Sequence, residues 1–445
     1  MSDLEFGPSP PPDTDTEMLD RLLCETFEFF RREANPTNGL LPDKTQPDSP
    51  ASLASLGMGL SVYVVAAERQ LLSRAEAVTR VLTLLKFMTA SHQGPEINAT
   101  GYKGFYYHFI DMQTGQRAWK CELSTIDTAI FIAGALTAAT YFTREDAEET
   151  EIRSLAETLY RRVDWKWALN GGVTISHGWT PEAGFLAYRW DTDYSEALLL
   201  YILALGSPTF PIESAGYMEW TSTFQWKSIY GFDYLYAGPL FIHQMSHIWL
   251  DFRGIYDDFN RRRGLDYFEN SRRATYVQRQ YGIENPLKFA HYHKYGWGLT
   301  ASDGPGPAVL MVNGTKREFF DYTARGAPFG PDDGTISPWA VVASLPFAPE
   351  IVIETIRHAI ERLSLKVRSH YGFDASFNST YPDTSRNKNG WVSPWIFGLN
   401  QGPIILMIEN FHSELIWKCV RACPHVITGL RKAGFRDGWL DAKPS

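Results

Sequence analysis

Cysteine is scarce in this chain: Cys24, Cys121, Cys419 and Cys423 are the four among 445 residues. Four thiols make no disulfide framework at this length, and the C-x3-C spacing of the last pair matches neither a redox C-x-x-C nor a familiar zinc pattern. They read as small hydrophobes of a reduced protein. Long apolar runs are missing too. No stretch reaches the roughly eighteen residues that a membrane-spanning helix needs, so the chain reads as soluble. Basic residues are not in excess: 42 Lys and Arg stand against 51 Asp and Glu. A net charge of −9 argues against a general nucleic-acid binder. Arg261–Arg263 and Arg272–Arg273 then read as solvated helix faces. The opening MSDLEFGPSPPPDTDTE has neither a basic n-region nor an apolar h-region, so it is not a signal peptide. The default location is cytoplasmic, and periplasmic or secreted if a signal has been removed. Residues 1–15, with their Pro-rich stretch at 7–13, are expected to form a disordered lead-in. No Pro- or Ser-rich linker and no exact repeat divides the rest, so residues 16–445 are expected to fold as one domain.

Aromatic residues are abundant, at 14% of the chain with 14 Trp. Flat amphipathic rings stack on the apolar faces of sugars, although a large core also absorbs them. Helical periodicity is the other plentiful signal. Residues 16–34 place Leu19, Leu22, Leu23, Phe27 and Phe30 on one face. Further helices are expected near 51–69, 73–91, 122–142, 144–164, 193–205, 209–220, 238–262, 265–281, 347–368, 398–419 and 424–433. Between them lie aromatic, Gly-rich segments with short strand-like runs, including GYKGFYYHFIDMQTG, GGVTISHGWTPEAGFLAYRWD and YGWGLTASDGPG. About a dozen helices in one domain predict an all-α (α/α)6 toroid, six helices inside and six outside, with the short β segments at its mouth.

Two of the expected inner helices open on carboxylates. DTDYSEALLLYILALGSPTFPI begins with Asp191, Asp193 and Glu196, and ELSTIDTAIFIAGALTAATYF with Glu122 and Asp127. The bland reading is capping, with Asp193 and Glu196 as a D-x-x-E variant of the capping box and Ser124 and Asp127 as S-x-x-D. Two such mouths, each following a loop with Trp119 or Trp190, also read as one carboxylate-lined pocket. HQMSHIWLD would put His243, His247 and Asp251 on one helical face, but Gln244 stands where a zincin carries its general-base Glu. A hydrogen-bonding face is the stronger reading. HYH, with His291 and His293 at i and i+2, is a weaker metal signal still. No G-x-S-x-G supports a Ser nucleophile, and no GK[ST] supports a phosphate cradle. The C-terminal third adds acids in loops, namely Asp303, Asp332, Asp333 and Asp374. An Asx-turn or an N-cap is the plain alternative for Asp374.

IHQMSHIWLDFRGIYD, YSEALLLYILALGSPTFPI, DDGTISPWAVVASLPFAPE, YGFDASFN and WIFGLNQGPIILMIEN together resemble the bacterial glucoamylase-like family. Its characterised members are β-1,2-glucan hydrolases of glycoside hydrolase family 144, built as (α/α)6 toroids. The resemblance runs in order from about residue 16 to 433. It implies inverting hydrolysis by a carboxylic acid and a carboxylate base. Glu196 matches the acid and Asp374 the base. Glu122, Asp127, Tyr194, Gln244, His247, Arg253, Asp303 and Gln401 are implied polar contacts to sugar, with Trp119, Trp190, Phe377 and Trp391 as stacking platforms. Phe210 stands where the family pattern leads one to expect His. No metal or cofactor is implied; the expected partner is an oligo- or polysaccharide, and the chain a monomer. A segment of cyclic β-1,2-glucan synthases is also similar, so transglycosylation stays open. So do exo action on another glucan and a non-catalytic sugar-binding toroid.

Overall fold

The computed structural model describes residues 14–363, 370–383 and 390–442. All but the last two residues of the expected lead-in lie outside that range. The chain is helix-rich. Its helices are α1 Asp15–Arg32, α2 Leu53–Glu68, α3 Arg74–Ala90, α4 Thr125–Tyr141, α5 Ala147–Arg162, α6 Leu198–Gly206, α7 Ser214–Ser222 and α8 Asp258–Arg263. There follow α9 Tyr267–Glu284, α10 Pro338–Ala343, α11 Pro349–His358, α12 Gly398–His412, α13 Leu415–Arg421, α14 Pro424–Lys432 and α15 Gly438–Asp441. Local chemistry starts many of them. Thr14 with Glu17 and Ser73 with Glu76 close reciprocal capping boxes on α1 and α3. Pro338, Pro349 and Pro424 occupy first turns, where a missing N–H costs nothing.

Helices α2, α4 and α6 are apolar all round and buried along almost their whole length, as the sequence implies for an inner layer. Helix α2 packs on α4 and α12, α4 on α6, and α12 on α10. The α2–α4 approach is backbone on backbone. A Cβ on Gly57 would lie 2.4 Å from Ile130 O, and one on Gly134 2.1 Å from Gly57 O. Only glycine fits at that crossing. Amphipathic helices cover this layer: α3 lies on α2 and α5, α5 on α4, α1 on α12, and α11 on α10. One buried cluster runs from Met18 to Leu440.

The inner helices share a direction. At one end, Arg69, just past α2, pairs with Glu409 near the end of α12, and Tyr141, the last residue of α4, donates to Glu68. At the other, Asp43 O accepts from Gly398 N at the start of α12, and Leu53 N, opening α2, donates to His108 O. Short strands collect there. Phe105–Tyr107, Leu123–Ser124 and Gly178–Thr180 pair antiparallel, with Tyr106 opposite Ser124 and Ser124 opposite Gly178. Positive helix ends and their carboxylates thus meet at one face.

Several helix expectations are corrected, that at 398–419 among them, which divides into α12 and α13. Residues 238–262 do not form one helix. Leu240–His243 and Ser246–Ile248 are 3-10 turns, and α8 starts only at Asp258. The Asp251 carboxylate accepts from Arg253 N at 3.1 Å, an Asx-turn, and Gly254 at φ +69° stops propagation. Helix α6 begins at Leu198 with Ala197 as its cap, not at Asp193. Helix α10 lies in SPWAVVA, where no helix was expected. The expected helix at 347–368 ends its α form at His358, and residues 364–368 lie outside the described residues.

The loop around 302–333 is anchored by a fully buried ion pair. Arg325 Nε and Nη2 donate to the two Asp333 carboxylate oxygens at 2.7 and 2.8 Å, both side chains being 0% exposed. Burial raises the Asp333 pKa, but the guanidinium outweighs it and holds the carboxyl below its usual range. Arg325→Met leaves that charge buried and unpaired. It should cost about 3–5 kcal/mol in urea unfolding, and adding Asp333→Asn should restore part of the loss.

Candidate active site

Five acids and a histidine converge at the N-terminal ends of α4 and α6. His108 follows the strand Phe105–Tyr107, and its Nδ1 stands 2.9 Å from Glu122 Oε1. Its Nε2 lies 3.7 Å from Asp127 Oδ2. Burial lowers the His108 pKa, yet Asp127, Glu122 and Asp43 outweigh that and raise it to about 9, so the ring is cationic at neutral pH. Burial works to raise the Glu122 pKa, but the hydrogen bond from His108 brings it below its usual value. Ser124 caps α4 through Asp127 N at 3.2 Å, as its sequence implies, and its hydroxyl also donates to the Asp127 carboxylate. Ser124 is the cap and Asp127 a cleft acid: the expected S-x-x-D box closes only in its Ser half.

Glu196 sits in the turn before α6. Ser246 fixes that turn by donating to Glu196 O at 2.7 Å and accepting from Leu199 N at 3.1 Å. The side chain is surrounded by protein yet still touched by solvent, the position of a group on the floor of a cleft. Burial, with a smaller push from the charge of Asp127, raises its pKa to about 7. It caps nothing. Asp193 is no N-cap either: it stands at φ +54°, its N–H on Thr223 Oγ1 and its carboxylate taking the Gln225 amide at 2.8 Å. The D-x-x-E capping box is thus withdrawn.

Across the cleft, Asp303 follows the short strand Ala301–Ser302, and Ser393 Oγ donates to its carboxylate at 2.7 Å. Ser376 Oγ donates to Asp303 O at 2.8 Å, which joins Asp303 to the segment carrying Asp374, itself 4% exposed. Trp391, half-buried, pairs with Asn378 in the adjoining hairpin. Trp119 is 60% exposed beside Phe109, at one side of an open groove with Pro42, Lys44, Asp48 and Met112. Gln401 lies in the first turn of α12, its amide buried with no hydrogen-bond partner among the described residues.

Several expected contacts are not on this face. The chain from 243 to 253 runs away from it, toward the C-terminal end of α12. Trp417, on α13 beyond that end, donates to His247 O, and Arg253 pairs with Asp251 and Glu414 over the Trp417 ring. His247 is fully buried among Phe252, Phe268 and Phe347, with Ser271 Oγ 3.1 Å from its Nε2. Burial lowers its pKa to about 3, so it is neutral. His243 Nε2 is 3.2 Å from Ala237 O. The 3-10 geometry breaks the i, i+4 face, and HQMSH forms no three-ligand cluster among the described residues. Gln244 spends its amide on Ala340 O and Ser344 Oγ of the α10 segment. Tyr194 packs inside against Phe224, His243 and Tyr267. Phe377 is 3% exposed, and Trp190 is 8% exposed with His177 stacked on it at 3.8 Å. Arg253, His247, Gln244 and Tyr194 are therefore scaffold, and neither Phe377 nor Trp190 offers an open ring face.

Three cleft residues escaped the sequence reading. His108 lay unremarked inside an aromatic run. Asp43, in PDKTQPD, has its pKa raised to about 6 by burial and by the charges of Asp127 and Asp303, against Lys44 and His108. Tyr322 is 51% exposed, its ring lies 6.1 Å from that of Phe397, and it stands near Asp43, Asp303 and Asp127. Only folding brings these positions together. Nothing local in their sequence signals it.

A helix-rich scaffold with an acid-lined, aromatic-edged cleft at the N-termini of its inner helices is the build of a glucoamylase-like protein. The chain belongs to the Glycoamylase family, whose model, described as "Putative glucoamylase", matches residues 187–424. A solved structure of the same description from Bacteroides uniformis is 29% identical, covers 97% of this chain and all of its own, and superposes with a TM-score of 0.85. An endo-β-1,2-glucanase from Chitinophaga pinensis, solved with sophorotriose and glucose, is 25% identical over 96% of this chain and 100% of that one, with a TM-score of 0.82. An exo β-1,2-glucooligosaccharide sophorohydrolase from Parabacteroides distasonis is 27% identical over 95% of this chain. The chain spans 58% of that relative's length.

Proposed function

We propose that this protein is an inverting glycoside hydrolase acting on β-1,2-glucan or its oligosaccharides. In this reading residues 16–445 form a single (α/α)6 domain. Its inner ring consists of α2, α4, α6, the two 3-10 turns at 240–248, α10 and α12. The observation that carries the reading is Glu196, a carboxyl on the cleft floor with its pKa raised to about 7. At neutral pH much of it holds the proton that a leaving glycosidic oxygen needs. Asp374 is the base that activates water on the opposite face of the sugar. Glu122, Asp127, Asp303 and Gln401 take sugar hydroxyls, His108 neutralises the acids around them, and Trp119, Trp391 and Tyr322 flank the chain of sugars. The β-1,2 linkage rests on the Chitinophaga and Parabacteroides relatives.

The test is a substrate panel. Reducing ends should rise with β-1,2-glucan and not with β-1,3-, β-1,4- or α-1,4-glucan. Proton NMR of the first products should show the α-anomer, as inversion of a β-linkage requires. Products of retained configuration, or none from any glucan, would overturn the proposal; binding without cleavage would favour the sugar-binding toroid. The protein should run as a monomer in gel filtration.

A further inference from the structure

The cleft does not absorb HYH, and folding gives that motif a third member. His291 and His293 lie on a tight turn after α9, and His358 is the last residue of α11. One ligand nitrogen from each of the three rings lies within 4.8 Å of the other two, and each residue is half-buried. His291 is held at φ +138°, a conformation that side chains with a Cβ rarely adopt. Gly296 lets the turn close, since a Cβ there would strike His291 O at 1.6 Å. The Nε2 of His291 is buried with no hydrogen-bond partner among the described residues. Tyr295 N–H donates to His293 Nδ1 at 3.1 Å, so ligation through Nε2 requires that contact to open and the ring proton to move to Nδ1.

We propose that His291, His293 and His358 form a binding site for a borderline divalent transition-metal ion, Zn2+ foremost. Three imidazoles without a carboxylate or thiolate suit Zn2+, Co2+, Ni2+ or Cu2+ and reject Mg2+ and Ca2+. Water completes a tetrahedron. At Zn–N distances of about 2.0–2.1 Å the three nitrogens stand about 3.4 Å apart, so binding draws the rings inward by about an ångström. Lys294, Arg362 and Glu361 lie around the set and bring a net charge of +1, against which the ring nitrogens must hold the ion.

The site has a place in the architecture. His291 packs on Phe377 with ring centroids 5.4 Å apart, and Ala290 N donates to Thr380 Oγ1 at 2.8 Å. The ion would tie the 290–296 turn to the end of α11 directly behind the segment that carries Asp374. Its role is bracing, and it stands independently of the glucanase reading.

Isothermal titration of tag-free, chelator-dialysed protein with ZnCl2 tests this. The expected result is one tight equivalent, a rise in Tm with Zn2+, and tetrahedral visible bands with Co2+. His293→Ala and His358→Gln should each remove the tight equivalent and the Tm response, while His92→Ala on the surface should keep both. Circular dichroism of the metal-free variants separates lost ligation from lost folding. Wild-type protein that takes up no more Zn2+ than the folded His291→Ala/His293→Ala/His358→Ala variant would overturn the site, whatever the outcome with glucans.

Discussion

Glu196→Gln should lower kcat on β-1,2-glucan by about 10²-fold or more while leaving KM within a few-fold, because the amide keeps the shape and loses the proton. The loss should depend on the leaving group. On an aryl sophoroside whose phenol departs without protonation, the variant should recover most of its rate, as a missing general acid allows. The wild-type pH profile should fall above about pH 7, where the Glu196 proton is lost. That alkaline limb should vanish in the variant. Unchanged turnover would make Glu196 a bystander of the cleft.

The same substitution should stabilise the protein at alkaline pH. The Glu196 pKa is raised in the folded state, to about 7 from an ordinary carboxyl value near 4.5. Its favourable contribution is therefore fully present below the unfolded pKa and is lost as pH rises through 7, when an ionised carboxylate is trapped on the cleft floor. Gln carries no such charge. Glu196→Gln should match wild type in urea unfolding at pH 5 and exceed it by about 1–3 kcal/mol at pH 8, discounted for the solvent that reaches the group. No cap is lost in exchange, since Ala197 holds that position.

Buried runs were legible and junctions were not. LLLYILALG and the Ala- and Gly-rich α4 announce inner helices by composition alone, because nothing but protein can surround them. Their starts depend on distant partners. Asp193 looks like a cap in sequence, but Thr223 and Gln225, at the end of α7, pull it into a left-handed turn. HQMSHIWLD reads as one helical face, yet the hydrogen bonds of Gln244 to α10 and of Ser246 to the Glu196 turn go with a 3-10 path. Glu122, Asp127, Glu196 and Asp303 were found because acids at helix mouths and in Gly-rich loops stand out one at a time. Asp43, His108 and Tyr322 become recognisable only through one another's charge, and the third histidine of the proposed metal site sits at the end of α11, far from the HYH turn in sequence.

Asp374→Asn should produce the complementary signature. Asp374 lies in a buried segment tied to the Asp303 loop through Ser376, so the variant keeps its packing and its fold. A base acts by taking a proton from water, and an amide oxygen cannot. Turnover should fall by about 10²-fold or more on every substrate, the activated aryl sophoroside included, since attack by water is needed whatever departs. The acid limb of the pH profile should disappear and the alkaline limb set by Glu196 should remain. If Asp374→Asn instead raises KM with kcat unchanged, Asp374 only holds a sugar hydroxyl, and the base must be sought among the other cleft acids. Asp43 is then the first to test. Its pKa of about 6 leaves it ionised at neutral pH, beside Asp127 and Asp303. Asp43→Asn would then lose the acid limb, and Asp374→Asn would keep it.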